Sequence, residues 1–410
     1  MNDEEKMIPE NETAPETGSA PEEDKAADAV SEAPGEKKGK KAKKTPKTRM
    51  GKIWSVTWKV LLGLVGALIL VVGGYVIYLV ATYSRIEDNL VLEVVDAQQR
   101  SSALPEKGVT YTVVTQNLGF GAYTQDFTFF MDGGTESWGR SKESVENCIR
   151  TGAQTVKDLS PDFVLFQEVD FDSDRSYHTD QREWLKEAFP DMNSVCAVNY
   201  HSAFLAYPFS QPHGKSNSSL MTFSRFGIAS AIRRSLPIST GFSKFLDLDR
   251  CYSVQRIPVS GGGELVLYNV HASAYGGSDE IRAAQMGMLF SDMQSEYEKG
   301  NWCVCGGDFN HDFTGTSTKD LNGGDNVDFG WAQPFPEDLL TENVSRAIDY
   351  DDGVKPTCRN CDVPYKKGNF VIIVDGFLVT DNVEVTSVRN VETKFVYSDH
   401  NPVVMQFVLK

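Results

Sequence analysis

Residues 302–310 read Trp-Cys-Val-Cys-Gly-Gly-Asp-Phe-Asn, an apolar run that stops at a carboxylate and an amide. Cys303 and Cys305 stand two apart and so face one side of an expected strand, as buried apolar thiols. Asp308 and Asn310 then fall at the strand's end. Four other apolar runs carry polar groups in the same way: residues 109–115 lead to Gln116-Asn117, residues 163–166 to Gln167-Glu168, residues 265–270 to Asn269 and His271, and residues 370–379 carry Asp375. Just before a last run, residues 403–408, stands Ser398-Asp399-His400-Asn401-Pro402. Strand ends on a rigid scaffold are where catalytic groups concentrate.

Each of these groups has an ordinary reading when taken alone. An Asn at a strand end is most often a turn residue, and Asp308-Phe309-Asn310 or Asp399-His400 could each be plain loop. Asp375 inside an apolar run is harder to dismiss, because a buried carboxylate needs a partner. All six together, in this order, point to chemistry. Asp, Glu and Asn oxygens are hard donors suited to Mg²⁺, Mn²⁺ or Ca²⁺. A hard cation beside histidines and carboxylates is a set for phosphoryl transfer to water.

Around these strands the spacing predicts helices over residues 141–159, 181–189 and 279–297, and further strands over 220–223 and 252–257. Many strands with three clear helices imply two packed sheets flanked by helices. The chain has seven cysteines, an odd number that cannot all pair internally. Cys358 and Cys361 form a Cys-x-x-Cys expected in a polar loop. A local disulfide or two free thiols is favoured over half a zinc site, because no second Cys/His pair stands at zinc spacing.

The N-terminal part reads differently. Residues 1–36 are rich in Glu, Ala, Pro, Asp and Ser and cannot bury enough surface to order, and residues 37–52 carry nine basic side chains. Residues 60–82 hold no charge and are long enough to span a bilayer, with aromatic residues towards the ends. A cleaved signal peptide would be shorter and nearer the start. The expected organisation is a disordered cytoplasmic tail over 1–52, a membrane helix over 53–83, a stalk over 84–104, and a catalytic domain over 105–410. The basic residues before the span place the tail inside and the domain outside the cytoplasm. Residues 1–83 hold 12 basic and 12 acidic side chains, so the remainder carries the whole net charge of −17. Such an acidic domain lacks the basic track that nonspecific nucleic-acid binding needs.

The segments TQNLGFG, FQEVD, NVHAS, GGDFNHD, VDGFLV and SDHNPVV resemble the endonuclease/exonuclease/phosphatase superfamily, over about residues 105–410. The resemblance implies an α/β (α+β) four-layer sandwich of two packed, mostly antiparallel sheets flanked by helices. It implies a hydrolase of phosphoric esters using Mg²⁺, with Mn²⁺ or Ca²⁺ as alternatives. Asn117, Glu168 and Asp399 would hold the metal. His271, Asp308, Asn310, Asp375 and His400 would be catalytic, Asp375 fixing the tautomer of His400. Asn217, Ser219 and Arg282 are weaker candidates for contacting substrate. Residues 171–182, 208–217 and 312–336 look like insertions of the kind that set substrate choice, and Tyr123, Phe127, Phe129, Phe130 and Trp138 could line the cleft or fill the core. The expected substrate is a phosphoester in a lipid head group, nucleotide or nucleic acid, and no protein partner can be inferred. The alternatives are a surface-tethered nuclease and a non-catalytic binding module. Completeness of the site disfavours the second.

Overall fold

The computed structural model describes residues 48–99, 101–245, 249–274, 278–323, 333–351 and 353–410. The tail expected over residues 1–47 lies outside these, as does much of the expected insertion at 312–336. Two compact units are formed, Met1–Leu68 and Ile69–Lys410. One 34-residue helix, Arg49–Thr82, has an 18-residue window of mean hydropathy 2.7 and is long and apolar enough to cross a membrane.

The second unit contains two seven-stranded sheets. One runs in the order Leu90–Val91, Ser230–Ser235, Cys251–Pro258, Glu264–His271, Trp302–Asp308, Asp375–Thr380 and Val344–Arg346. The other runs Val383–Asn390, Val403–Leu409, Thr110–Asn117, Phe163–Asp170, Asn217–Ser224, Asn193–His201 and Val94–Val95. Each sheet has one parallel pair, Glu264–His271 with Trp302–Asp308 and Thr110–Asn117 with Phe163–Asp170, and is otherwise antiparallel. Alternate residues of the strands meet in a shared core: Val113, Phe163, Leu165 and Met405 from one sheet pack on Leu265, Leu267, Val304 and Phe377 from the other.

Helices cover the outer faces. Asp279–Glu298 lays Met286, Leu289, Phe290 and Met293 on one sheet, against Val266, Tyr268, Cys303 and Cys305. Lys142–Asp158 and Gln181–Ala188 lay Ile149, Ala153, Val156 and Leu185 on the other, against Val164, Phe166 and Phe223. Ser141 caps the first of these by accepting a hydrogen bond from Ser144 N at 3.1 Å. The four layers are those the sequence predicts.

Several local expectations change. Residues 84–104, read as a stalk, supply the edge pairs Leu90–Val91 with Ser230–Ser235 and Val94–Val95 with Asn193–His201. The apolar run 370–379, read as one strand, splits. Val371–Ile372 pairs with Cys358–Arg359, while Asp375–Thr380 joins the large sheet. Cys358 and Cys361 are buried free thiols, not residues of a polar loop. Both Sγ atoms lie near the Arg359 carbonyl oxygen, at 3.5 and 3.7 Å.

Candidate active site

Strand register assembles half of the site. In Cα register Asp308 stands opposite His271 on one neighbouring strand and opposite Asp375 on the other. Adjacent strands lie about 4.8 Å apart, so this single row sets an imidazole and two carboxylates side by side. Gly307, one residue earlier, admits this packing: a Cβ there would lie 2.0 Å from Val270 O.

The facing sheet delivers Asn117 and Glu168. Glu168 falls where the pairing of Phe163–Asp170 with Asn217–Ser224 shifts register, and its backbone is left-handed at φ +53°. Non-glycine residues rarely adopt that conformation, and such strain concentrates at functional sites. Asn117 Nδ2 donates to Glu168 Oε1 at 3.2 Å and to Asp308 Oδ2 at 3.0 Å. Behind the site Gln167 Nε2 donates to Asn269 Oδ1 at 2.8 Å, a polar clasp between the two sheets.

The 398–401 loop closes over this arrangement. Ser398 Oγ donates to Asn117 O at 2.9 Å and accepts from His400 N at 3.0 Å. Asp375 Oδ2 accepts from His400 Nδ1 at 2.8 Å, leaving Nε2 pointed at Asp308 Oδ2 (3.8 Å) and Asp399 Oδ2 (3.9 Å). His271 Nε2 is 3.5 Å from Asp308 Oδ2 and 4.0 Å from Glu168 Oε1. Asn310 Nδ2 donates to Ala272 O, and its backbone N–H to Asp308 Oδ1 at 2.9 Å.

The two imidazoles differ in charge. Burial, with Arg250 and His400 nearby, holds His271 well below the usual histidine range, so it is neutral. Burial opposes protonation of His400 too, but the Asp375, Asp399 and Asp308 carboxylates outweigh it and hold the ring charged. Burial also raises Asp308 above the carboxylate range, with Asp375 adding to the effect and His400 opposing it. Asp399 is pushed up to about 7, chiefly by burial, with His400 lowering and Glu168 raising it.

Eight of the expected residues therefore meet: Asn117, Glu168, His271, Asp308, Asn310, Asp375, Asp399 and His400. Six of them line one cleft, while Asn117 and Asp375 stand behind it. Asn217, Ser219 and Arg282 do not reach its lining. Asn217 Nδ2 donates to Asp172 O, Ser219 Oγ to Val169 O, and Arg282 to Ala274 O and Asp279. Phe120, Tyr123, Phe129 and Met131 form an apolar wall, whereas Phe127 is fully buried and Trp138 packs on Tyr177.

Sequence reading missed Arg175, His213, Arg250 and Arg359, all in the lining. Asp170 holds Arg175 through two 2.8 Å bonds, flat against the Phe120 ring. Arg359 is 1% exposed, and its Nε and Nη1 have no hydrogen-bond partner among the described residues. A buried guanidinium with free donors at a cleft wall suits an anionic ligand. No motif flags it in the sequence, since it sits between the two cysteines.

Among the described residues, two groups of side chains have donor atoms close enough to share an ion: Cys358, Asp399 and His400, and Asp308, Asp375 and His400. His400 is charged and committed to Asp375, and burial pushes the Cys358 thiol up to about 12, so neither is a ready ligand. The oxygens of Glu168, Asp399 and Asn117 fit a hard divalent cation better. Burial, with Glu168 adding, raises Asp399, and the charge of such a cation would offset both.

The chain matches the family described as Endonuclease/Exonuclease/phosphatase family over residues 114–400. Among solved structures, an endonuclease/exonuclease/phosphatase from Beutenbergia cavernae is 17% identical with a TM-score of 0.51, covering 73% of this chain and 72% of that one. One from Bacteroides vulgatus is 18% identical with a TM-score of 0.46, covering 74% and 100%. A family protein from Leptotrichia buccalis is 15% identical with a TM-score of 0.47, covering 72% and 99%. No curated protein matches the chain. With its two-sheet fold and a match over most of its length, the chain belongs to the endonuclease/exonuclease/phosphatase family.

Proposed function

We propose that this chain is a membrane-anchored hydrolase of phosphoric esters that depends on a divalent cation, Mg²⁺ first and Mn²⁺ or Ca²⁺ as alternatives. In this reading residues 53–83 are the anchor, residues 1–52 face the cytoplasm, and the catalytic domain lies outside it. Members of the family are generally hydrolases acting on phosphoester bonds. The observation that carries the reading is the convergence of a charged and a neutral imidazole on Asp308, beside the oxygens of Glu168 and Asp399.

A cation held by Glu168, Asp399 and Asn117 would supply Lewis-acid stabilisation of the phosphoryl oxygens. The chain's own groups divide the remaining work. His400, kept charged by Asp375, donates from Nε2 to a phosphoryl oxygen as negative charge builds there. Neutral His271 faces the same point from the neighbouring strand. Asp308, raised towards neutral pH, orients the attacking water and accepts its proton, and Asn310 holds that carboxylate in place through its N–H.

The test uses the full chain in detergent with phosphodiesters, phosphomonoesters, phospholipids and plasmid DNA, in Mg²⁺, Mn²⁺ or Ca²⁺ and in EDTA, beside His400→Ala. Cation-dependent turnover lost in the variant is expected. No turnover of any substrate with any of the three cations would favour the binding-module reading instead. Turnover of plasmid DNA alone would favour the tethered nuclease.

A further inference from the structure

We propose that the loop between His201 and Asn217 is a lipid-docking surface at the mouth of the cleft, and that the substrate is the phosphoester head group of a bilayer lipid. This rests on the hydrolase reading above.

Three aromatic side chains of this loop face solvent: Phe204 is 43% exposed, Tyr207 64% and Phe209 86%. Single exposed apolar residues are commonplace, but a cluster on one loop marks an interaction surface. The rings of Tyr207 and Phe209 lie 5.9 Å apart.

The same loop is bonded to the end of the apolar helix. Tyr75 Oη donates to Phe204 O at 3.1 Å and accepts from Ala206 N at 3.0 Å, and Tyr78 Oη accepts from Phe204 N at 3.0 Å. Tyr75 precedes the helix end at Thr82 by seven residues, about 10 Å along the axis. In the anchor reading this places Tyr75 and Tyr78 towards the outer end of the span, where interfacial tyrosines gather. The two hydroxyls also satisfy backbone groups of the loop where bulk water is scarce. The exposed aromatics thus sit on the loop that this end of the helix holds.

Charge agrees with this placement. No Asp or Glu occurs from Met192 to Leu246, in a chain holding 57 of them, and Lys215 on the loop is exposed, whereas Arg225, Arg233 and Arg234 of the same stretch are held by Asp162, by Asp249 and by Asp88 and Asp292. A loop with no carboxylate of its own and one exposed lysine is suited to approach a leaflet carrying phosphate. The loop also forms the rim of the site. The Tyr207 ring lies 6.0 Å from Phe130, which lies 5.7 Å from His213 in the cleft wall. Trp138 Nε1 donates to Pro212 O at 2.7 Å and pins the loop there. A lipid beside Phe209 therefore has its phosphate next to the entrance.

The full chain is reconstituted into vesicles of phosphatidylcholine, phosphatidylethanolamine, phosphatidylglycerol and phosphatidylinositol. A benzophenone amino acid replaces Phe209 or, as a control, the exposed Glu384 on the far edge strand of its sheet. Irradiation should yield lipid adducts at position 209 and few at 384. Equal yields at the two positions would overturn the docking surface, whether or not any substrate is turned over. In the same vesicles with Mg²⁺, Phe204→Ser/Phe209→Ser should lower head-group release at least tenfold and leave hydrolysis of water-soluble bis(4-nitrophenyl) phosphate within twofold. Wild-type turnover of the soluble ester with none of the vesicle lipids would overturn the lipid substrate and leave the hydrolase standing. Turnover of neither would sink the hydrolase reading, with the adduct yields still deciding the docking surface.

Discussion

Asp375 Oδ2 lies 2.8 Å from His400 Nδ1, with both side chains buried, and this contact fixes which nitrogen of His400 faces the cleft. Asp375→Asn keeps the shape but removes the charge that holds the ring protonated. The His400 imidazole then falls back towards its neutral form and loses its donor at Nε2. Loss of one preorganised donor costs on the order of 10²–10³-fold in kcat. The expected result is that loss with little change in KM, measured by steady-state kinetics on a soluble phosphodiester. A near wild-type kcat would remove His400 from the mechanism.

Glu168 adopts φ +53° at a register shift in its strand, a conformation that costs a non-glycine residue about 1–3 kcal/mol. Its carboxylate also adds to the rise of Asp399 that burial chiefly causes. Glu168→Gly should relieve both while deleting the main proposed cation ligand. The variant is expected to melt at or above the wild-type temperature, to lose activity, and to bind Mn²⁺ more weakly by titration calorimetry. A clear drop in melting temperature would show that Glu168 serves the fold.

The row of Asp308, His271 and Asp375 is legible in the sequence because its members are polar residues placed where apolar runs stop or within one, and strand register then carries them together. Asp308, His271 and Asp375 needed no tertiary information beyond that. The run 370–379 shows what periodicity misses. Its middle carbonyls leave the large sheet to accept from Phe309 N and Phe313 N, and Val374 N donates to the Thr357 hydroxyl. An apolar string does not record which partner its backbone takes. Residues 84–104 were unreadable for a related reason: two-residue edge strands are too short to show alternation. Asn217, Ser219 and Arg282 stand out in the sequence by position alone, and in the structure each donates to a local carbonyl.

Arg359 offers Nε and Nη1 without partners from a buried position in the cleft wall, so removing it should weaken anion binding more than chemistry. Hydrogen bonds to charged groups contribute about 1.5–3 kcal/mol each. Arg359→Met is expected to raise KM, or Ki for inorganic phosphate, by roughly tenfold or more at nearly constant kcat. Competitive inhibition by phosphate measures this directly. An unchanged Ki would mean the guanidinium serves only its contact with Thr124 O.

His213 is packed against Phe129 and Phe130 with its Nδ1 unpartnered among the described residues, and burial, helped by Arg175, lowers its pKa to about 3. The unfolded chain binds this proton near pH 6.5, so between about pH 6.5 and 3 the unfolded state holds more protons than the native one. Stability contributed by the neutral ring is therefore complete above pH 6.5 and falls as the pH drops, by about 1.4 kcal/mol per unit. His213→Phe keeps the aromatic packing and abolishes the titration. Between pH 7 and pH 5 the wild-type protein should lose roughly 2 kcal/mol more stability than the variant, read from denaturant melts at the two values. Parallel losses in both proteins would mean that His213 becomes protonated in the folded state without disturbing its neighbours.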